Sequence, residues 1–416
     1  MNESLSENVQ AAVRVGDMVD TYYYGETNSE KQAYPCVVNN KFVQQFTNLG
    51  AGGGTSQFVI SPYEGVSDIV LSLTMGAMTD STGTALPQGW GYSLIRQVSV
   101  RYGSSAQYYF TGAQIYLQNL VDAEDGMKRD QLATLGGNAV VSASAGGLTG
   151  EQAYVYLNLP HNSPRADGKP LPFPSDLLVQ PIVITVELNA PSSVIVQNSA
   201  ANLAGVANAV LSFGQMQVKQ ELMQDSADLL ARRVDMNSHA YTFPLKYFPQ
   251  QEVTINLASS ANAQSVNLTG FRAGEVQKIL LWMTKGSNTT ANGPLSWVPI
   301  SDVTLTYNGE IFFRADGTAS QLWNLIGDTK SAGVNNYALA ANAWAADLTT
   351  WVDVPFAQVN IPYDKEIKLV HGKPILNAVV NLSVKTPTAD TDYVLHAVYL
   401  YNASLLCSRG SAEYIF

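Results

Sequence analysis

The side chains best suited to chemistry in this sequence are few and widely spaced. Its four histidines, His161, His239, His371 and His396, form no HxH or HxxxH pair. A histidine metal centre would therefore need distant segments to converge, and each reads more simply as a loop histidine or a hydrogen-bonded core histidine. Cys36 and Cys407 lie near opposite ends of the chain; they could close one bridge at most and read as packed thiols. The run Gly50-Ala-Gly-Gly-Gly-Thr-Ser56 has the glycines of a phosphate loop but lacks the Gly-Lys-Ser/Thr ending and a following helix, so a flexible loop is expected. Gly168-Lys169 and Gly372-Lys373 are each followed by proline and lack the upstream glycine. Asp122-Ala-Glu124-Asp125-Gly126 could hold calcium, but its spacing is not that of a twelve-residue calcium loop, and it reads as a solvated turn. No Gly-x-Ser-x-Gly elbow occurs. Among the tryptophans, Trp282 and Trp323 fall in apolar, regular segments and read as core. Trp90, Trp297, Trp344 and Trp351 fall in or near loops and are the candidates for a ligand surface or a subunit contact. The expectation is no catalytic, cofactor-binding or metal-binding residue, and no cofactor.

Composition narrows the function classes further. Over 416 residues the net charge is −11, with no basic run, which argues against a nucleic-acid binder. Charged residues are 14% of the chain, against about 25% in an average soluble domain. Ser, Thr, Asn, Gln and Gly replace them, and a surface so poor in charge is suited to burial between subunits. Met1-Asn-Glu-Ser-Leu-Ser-Glu7 has neither the positive flank nor the apolar stretch of a signal peptide. The weakly apolar stretch Ala200–Gly214 is too short to span a bilayer. Synthesis and folding in a reducing cytoplasm are expected.

The elements that would position any site are mostly strands. Short alternating segments rich in Tyr, Val, Ile, Phe and Thr recur between Gly, Pro, Asn and Asp, as in Gln97–Tyr102, Ile182–Leu188 and Asp302–Tyr307. Alternation puts Val98, Val100 and Tyr102 on one buried face. Helical spacing is rare: Val218–Val234 is the best candidate, and Val9–Val13 a short, weak one.

The segments repeat. Tyr102 and Tyr307 end matching strands at an offset of 307 − 102 = 205, and Leu117-Gln-Asn119-Leu120 matches Leu322-Trp-Asn324-Leu325 at the same offset. Phe42-Val-Gln-Gln45 matches Phe248-Pro-Gln-Gln251 at 206, and Val66–Gly76 matches Val276–Gly286 at 210. Asn158-Leu-Pro160 matches Asn360-Ile-Pro362 at 202, Gly168-Lys-Pro170 matches Gly372-Lys-Pro374 at 204, and the strands from Ile182 and Ala378 follow. Small drifts in collinear order are what loop-length changes between matched strands produce. The expected organisation is an N-terminal arm (1–34), a first module (35–218), a linker with a short helix (219–239) and a second module (240–416). Each module suits an eight-stranded jelly-roll β-sandwich, so the fold class is all-β. Long loops at Asp80–Gly91, Leu135–Gly150 and Thr284–Leu295 are expected to project from the strand ends.

The tandem module, the Tyr102-Gly and Tyr307-Asn-Gly strand ends, the proline-rich Leu171–Leu188 segment and the Gly270–Glu275 turn resemble the double jelly-roll major capsid proteins of icosahedral double-stranded DNA viruses. That lineage covers tailless membrane-containing phages, adenovirus and the large eukaryotic DNA viruses. The resemblance implies a homotrimer whose six sandwiches form a pseudo-hexagonal tile, packed with its copies into a virion shell. It also implies a penton protein, minor capsid proteins and in some members an inner membrane as partners, with the N-terminal arm beneath the shell. Two other classes remain open on the residues alone: a carbohydrate- or receptor-binding sandwich pair of a fibre, spike or surface layer, and a jelly-roll enzyme such as a cupin or glycosidase. The enzyme would need clustered His and Glu, or paired carboxylates on facing strands, and the sequence displays neither.

Overall fold

The computed structural model describes most of residues 36–223 and, between 240 and 415, chiefly the strands. The first half runs β1 (Cys36–Gln45), β2 (Gly54–Ile60), β3 (Gly65–Met75), β4 (Thr84–Leu86), α1 (Trp90–Leu94), β5 (Ile95–Arg101) and β6 (Tyr108–Phe110). It continues through α2 (Gly112–Asp122), β7 (Val140–Val141), β8 (Gln152–Tyr156), β9 (Ile182–Leu188), β10 (Val196–Gln197) and β11 (Leu211–Met223). The second half contains β12 (Ala240–Pro249), β13 (Val253–Leu257), β14 (Gln264–Leu268), β15 (Val276–Lys285), β16 (Ile300–Tyr307) and β17 (Glu310–Ala315). It ends with β18 (Phe356–Asn360), β19 (Ala378–Val384), β20 (Tyr393–Ser408) and β21 (Ser411–Ile415).

Two four-stranded antiparallel sheets form the first sandwich, in the orders β1-β11-β3-β8 and β2-β9-β5-β6. Period-two patterning decides which face goes inside. In β9, Ile182, Ile184, Val186 and Leu188 are buried while Val183, Thr185 and Glu187 are not. Val98 and Val100 of β5 and the adjoining Tyr102 are fully buried, as the alternation predicts. They share one core with Ile69, Leu71 and Leu73 of β3 and Met216 and Val218 of β11 in the facing sheet.

The second sandwich repeats the same two orders: β12-β20-β15-β18 and β14-β19-β16-β17. Matching each strand to its counterpart recovers the jelly-roll path twice. The agreement extends to register. Val100 faces Ile184 and Tyr108, and Leu305 faces Val380 and Phe313, so both β5 and β6 map onto the second half at an offset of 205. Leu71 faces Val155 and Leu281 faces Ala357, giving 281 − 71 = 210 and 357 − 155 = 202, the offsets read from those segments in the sequence.

Two expectations change. The helix expected from Val218 does not begin there: Val218–Met223 are the end of β11, paired with β1 as far as Cys36. Burial of alternate residues Met216, Val218 and Gln220 outweighs the helical spacing, because a sheet partner satisfies both backbone and core. Residues 224–239, the rest of the expected linker helix, and the N-terminal Val9–Val13 lie outside the described residues. The connections 80–91 and 135–150 are only partly free loops, with 143–146 and 149–150 exposed. Strands β4, β7 and β10, drawn from three different connections, pair as a small sheet that ties parts of these segments together. The connection 286–299 lies outside the described residues.

Candidate functional site

Antiparallel strands send successive connections to opposite ends of a sandwich. In the first sandwich one end therefore collects the β1–β2, β3–β5, β6–β8 and β9–β11 connections. The other end collects β2–β3, β5–β6 and β8–β9. Each end gathers side chains that are far apart in sequence.

The first end is a closed cap. Trp90, a loop candidate for a ligand surface by sequence, is fully buried at the start of α1. Its segment turns inward because α1 packs on α2: the Tyr92 and Tyr116 rings are 5.0 Å apart, and Asn119 Nδ2 donates to Tyr92 Oη (2.8 Å) and to the Tyr156 carbonyl (2.9 Å). Burial pushes the Tyr92 phenol up to about 12. Hydroxyls stitch the same two connections together further on. Ser81 Oγ lies 2.9 Å from Ser142 Oγ and donates to the Ala145 carbonyl, also at 2.9 Å. The glycine run at 50–56 is a tight turn rather than a loose loop. Gly53 N–H donates to the Gly50 carbonyl at 3.0 Å, and Gly54–Ser56 already belong to β2.

The second end holds a buried histidine. His161 Nε2 lies 3.0 Å from the Ser67 carbonyl and Nδ1 lies 2.7 Å from Tyr102 Oη. A carbonyl only accepts, so Nε2 carries the proton, and Nδ1 of the neutral ring accepts the Tyr102 hydroxyl proton. Phe173 packs edge-on against Tyr102 with ring centroids 5.7 Å apart. Burial lowers the His161 pKa from 6.5 to about 4, with the Ser67 hydrogen bond opposing the shift. Both nitrogens are occupied and the residue is 3% exposed, so this histidine ties the β5–β6 and β8–β9 connections to the start of β3. No spacing signal pointed to the pair, because Tyr102 and His161 are 59 residues apart.

The other sequence candidates are dispersed. His396 lies in β20 between Thr254 and Trp282. Cys36 opens β1 opposite Met223, and Cys407 is a buried free thiol that burial pushes up to about 12, which keeps it protonated. Asp122 ends α2, and residues 123–130 lie outside the described residues. His239, His371, Gly168-Lys169, Gly372-Lys373, Trp297, Trp323, Trp344 and Trp351 lie outside them too. Among the described residues no three of His, Cys, Asp and Glu come together.

The outward face of the β1-β11-β3-β8 sheet is uncharged over part of its length, beyond which Lys41 stands opposite Lys219 on the same face. Across β1, β11, β3 and β8 run the rows Val43, Gln217, Val70, Tyr156 and Gln45, Gln215, Ser72, Tyr154. Val43 and Tyr154 are exposed, and neither row carries a charge.

No family profile matches the sequence, and no curated protein matches it. Solved structures do. The mavirus major capsid protein is similar with a TM-score of 0.57 at 11% identity, covering 90% of this chain and 90% of that one. For the Faustovirus major capsid protein the TM-score is 0.56 at 11% identity, over 97% and 98%. For the PBCV-1 virus capsid it is 0.55 at 12% identity, over 91% and 97%. Near-complete coverage of both partners means that the likeness takes in the two sandwiches and their order. The chain has the double jelly-roll fold found in these viral major capsid proteins.

Proposed function

We infer that the chain is a structural major capsid protein that forms homotrimers, whose six sandwiches make a pseudo-hexagonal tile of an icosahedral virion shell. The observation carrying this reading is the duplicated sandwich with matched register, at Val100 with Leu305 and Leu71 with Leu281. Two near-equivalent bodies per chain let three chains approximate sixfold symmetry, which suits a hexagonal lattice. The neutral outward rows of Val, Gln, Ser and Tyr support subunit contact, since charge is depleted and Tyr enriched in interface cores. The fold shared with capsid proteins points the same way.

In this reading residues 1–34 form an arm, 35–223 and 240–416 the two sandwiches, and 224–239 their link. The role is assembly rather than catalysis. Synthesis in the host cytoplasm is followed by incorporation into the virion, alongside a penton protein, minor capsid proteins and, in membrane-containing particles, an inner membrane. Light scattering on the purified protein tests it. A mass near 134 kDa (3 × 44.8 kDa) with hexagonal outlines in the electron microscope is the expected result. A strictly monomeric species would overturn it, and clear hits on a glycan array with no assembly would redirect it to a carbohydrate-binding module.

A further inference from the structure

We propose that the β5–β6 corner of the first sandwich is a binding site for an extended peptide strand. The chain's own C-terminal strand β21 occupies it and clasps the second sandwich to the first. β20 is long: its Tyr393–Tyr401 half pairs with β15, and its Ser404–Ser408 half extends beyond that partner. β12 covers the other edge of this extension, and β21 folds back to pair along Ser404–Ser408. The hairpin so formed reaches the first sandwich. Ala412 N–H donates to Ser104 Oγ at 2.9 Å, and Ser104 Oγ lies 3.4 Å from the Ala412 carbonyl. One serine thus reads both backbone groups of one strand residue.

The next residue reads a side chain. Ser105 Oγ accepts from Tyr102 N–H (3.1 Å) and donates to Tyr414 Oη (3.0 Å). The Tyr414 ring stands edge-on to Tyr108 at 4.6 Å between centroids. Ala412, Leu405 and Cys407 are buried and belong to the same apolar cluster as the first sandwich's core. Main-chain pairing plus a pocket for one side chain in two is how extended peptides are recognised; here β20 supplies the main-chain pairing and the β5–β6 corner the serine hydroxyls and the Tyr108 ring. Here the recognised pattern is Ala412-Glu-Tyr414, with Glu413 turned outward and exposed.

The sequence does not repeat the two serines: at the offset of 205, Ser104 and Ser105 correspond to Gly309 and Glu310. The clasp described here runs from the second sandwich to the first. The clasp itself does not depend on the capsid reading.

Calorimetry on the full chain and on a chain lacking residues 411–416 tests this. The full chain is expected to unfold in one transition, and the shortened chain in two, the first at lower temperature. The synthetic peptide Ser-Ala-Glu-Tyr-Ile-Phe is expected to bind the shortened chain and restore one transition. Its affinity should fall at least tenfold when Ser104→Ala and Ser105→Ala are combined. An identical single transition in both chains overturns the proposal, as does peptide binding that ignores the two serines. If the shortened chain does not fold, the full-length Ser104→Ala/Ser105→Ala variant decides. Its amides at 102–110 and 411–415 should lose hydrogen-exchange protection, and unchanged protection overturns the clasp. Light scattering on the same samples separates the two readings, since a monomer with an intact clasp would remove only the capsid role.

Discussion

Val100 and Leu305 occupy one position in two bodies: each stands in the third strand of its sheet between a β9-type partner, Ile184 or Val380, and a β6-type partner, Tyr108 or Phe313. Val100 is fully buried. Val100→Asp and Leu305→Asp are each expected to abolish soluble expression, because an unpaired carboxylate in a sandwich core costs several kcal/mol, on the order of a domain's whole stability. Soluble yield and thermal melts check this. Normal folding of both variants would mean that the shared register is wrong.

Stability should fall with acid through His161. Its folded pKa, about 4, lies below the unfolded value of 6.5, so the unfolded chain takes up this proton first as pH drops. The contribution is fully present above 6.5, is lost progressively from 6.5 to 4, and is flat below that. The full span corresponds to about 3 kcal/mol. Urea midpoints at pH 7, 5.5 and 4.5 should show this slope in the native protein and a reduced one in His161→Gln. Equal slopes would show that some other group carries the acid sensitivity.

Asn119→Leu should cost about 1–3 kcal/mol, because it strips the hydrogen-bond donor from buried Tyr92 Oη and from the part-buried Tyr156 carbonyl. Asn119→Asp removes the same donor at nearly constant shape and should cost at least as much. A thermal midpoint unchanged in both would mean that α2 is not anchored through this residue.

At Gly53 the backbone has φ of +84°, and a Cβ there would run into the Leu188 carbonyl. Gly53→Ala should therefore lower stability by about 1–3 kcal/mol. Gly52, which has open space around it, should tolerate alanine. Comparing the two melts separates a required turn from mere glycine richness, and equal midpoints would contradict the turn.

The strands were legible because their signal is local. Alternation alone predicts that Val98, Val100 and Tyr102 share a buried face, and the offsets of 205, 210 and 202 carry the pairing of whole sheets from one half to the other. The candidate sites were less legible. Trp90 looked like a loop residue because its neighbours are glycine and proline, and only the packing of α1 on α2 draws it inside. Val218–Met223 has helical spacing yet pairs in a sheet, since β1 and β3 offer partners on both edges.

The sequence by itself determined that two like modules follow one another, that Val98, Val100 and Tyr102 share one inward face, and that no compact catalytic motif is spelled out. These follow from period-two patterning and repetition, which need no knowledge of distant contacts. Only the tertiary structure decided that Tyr102 meets His161 across 59 residues and that Ser104 meets Ala412 across 308. The jelly-roll path brings alternate connections to one end of the sandwich, and strand β20 carries the C-terminus back to the first half. Nothing in local composition encodes such meetings, because they are set by topology.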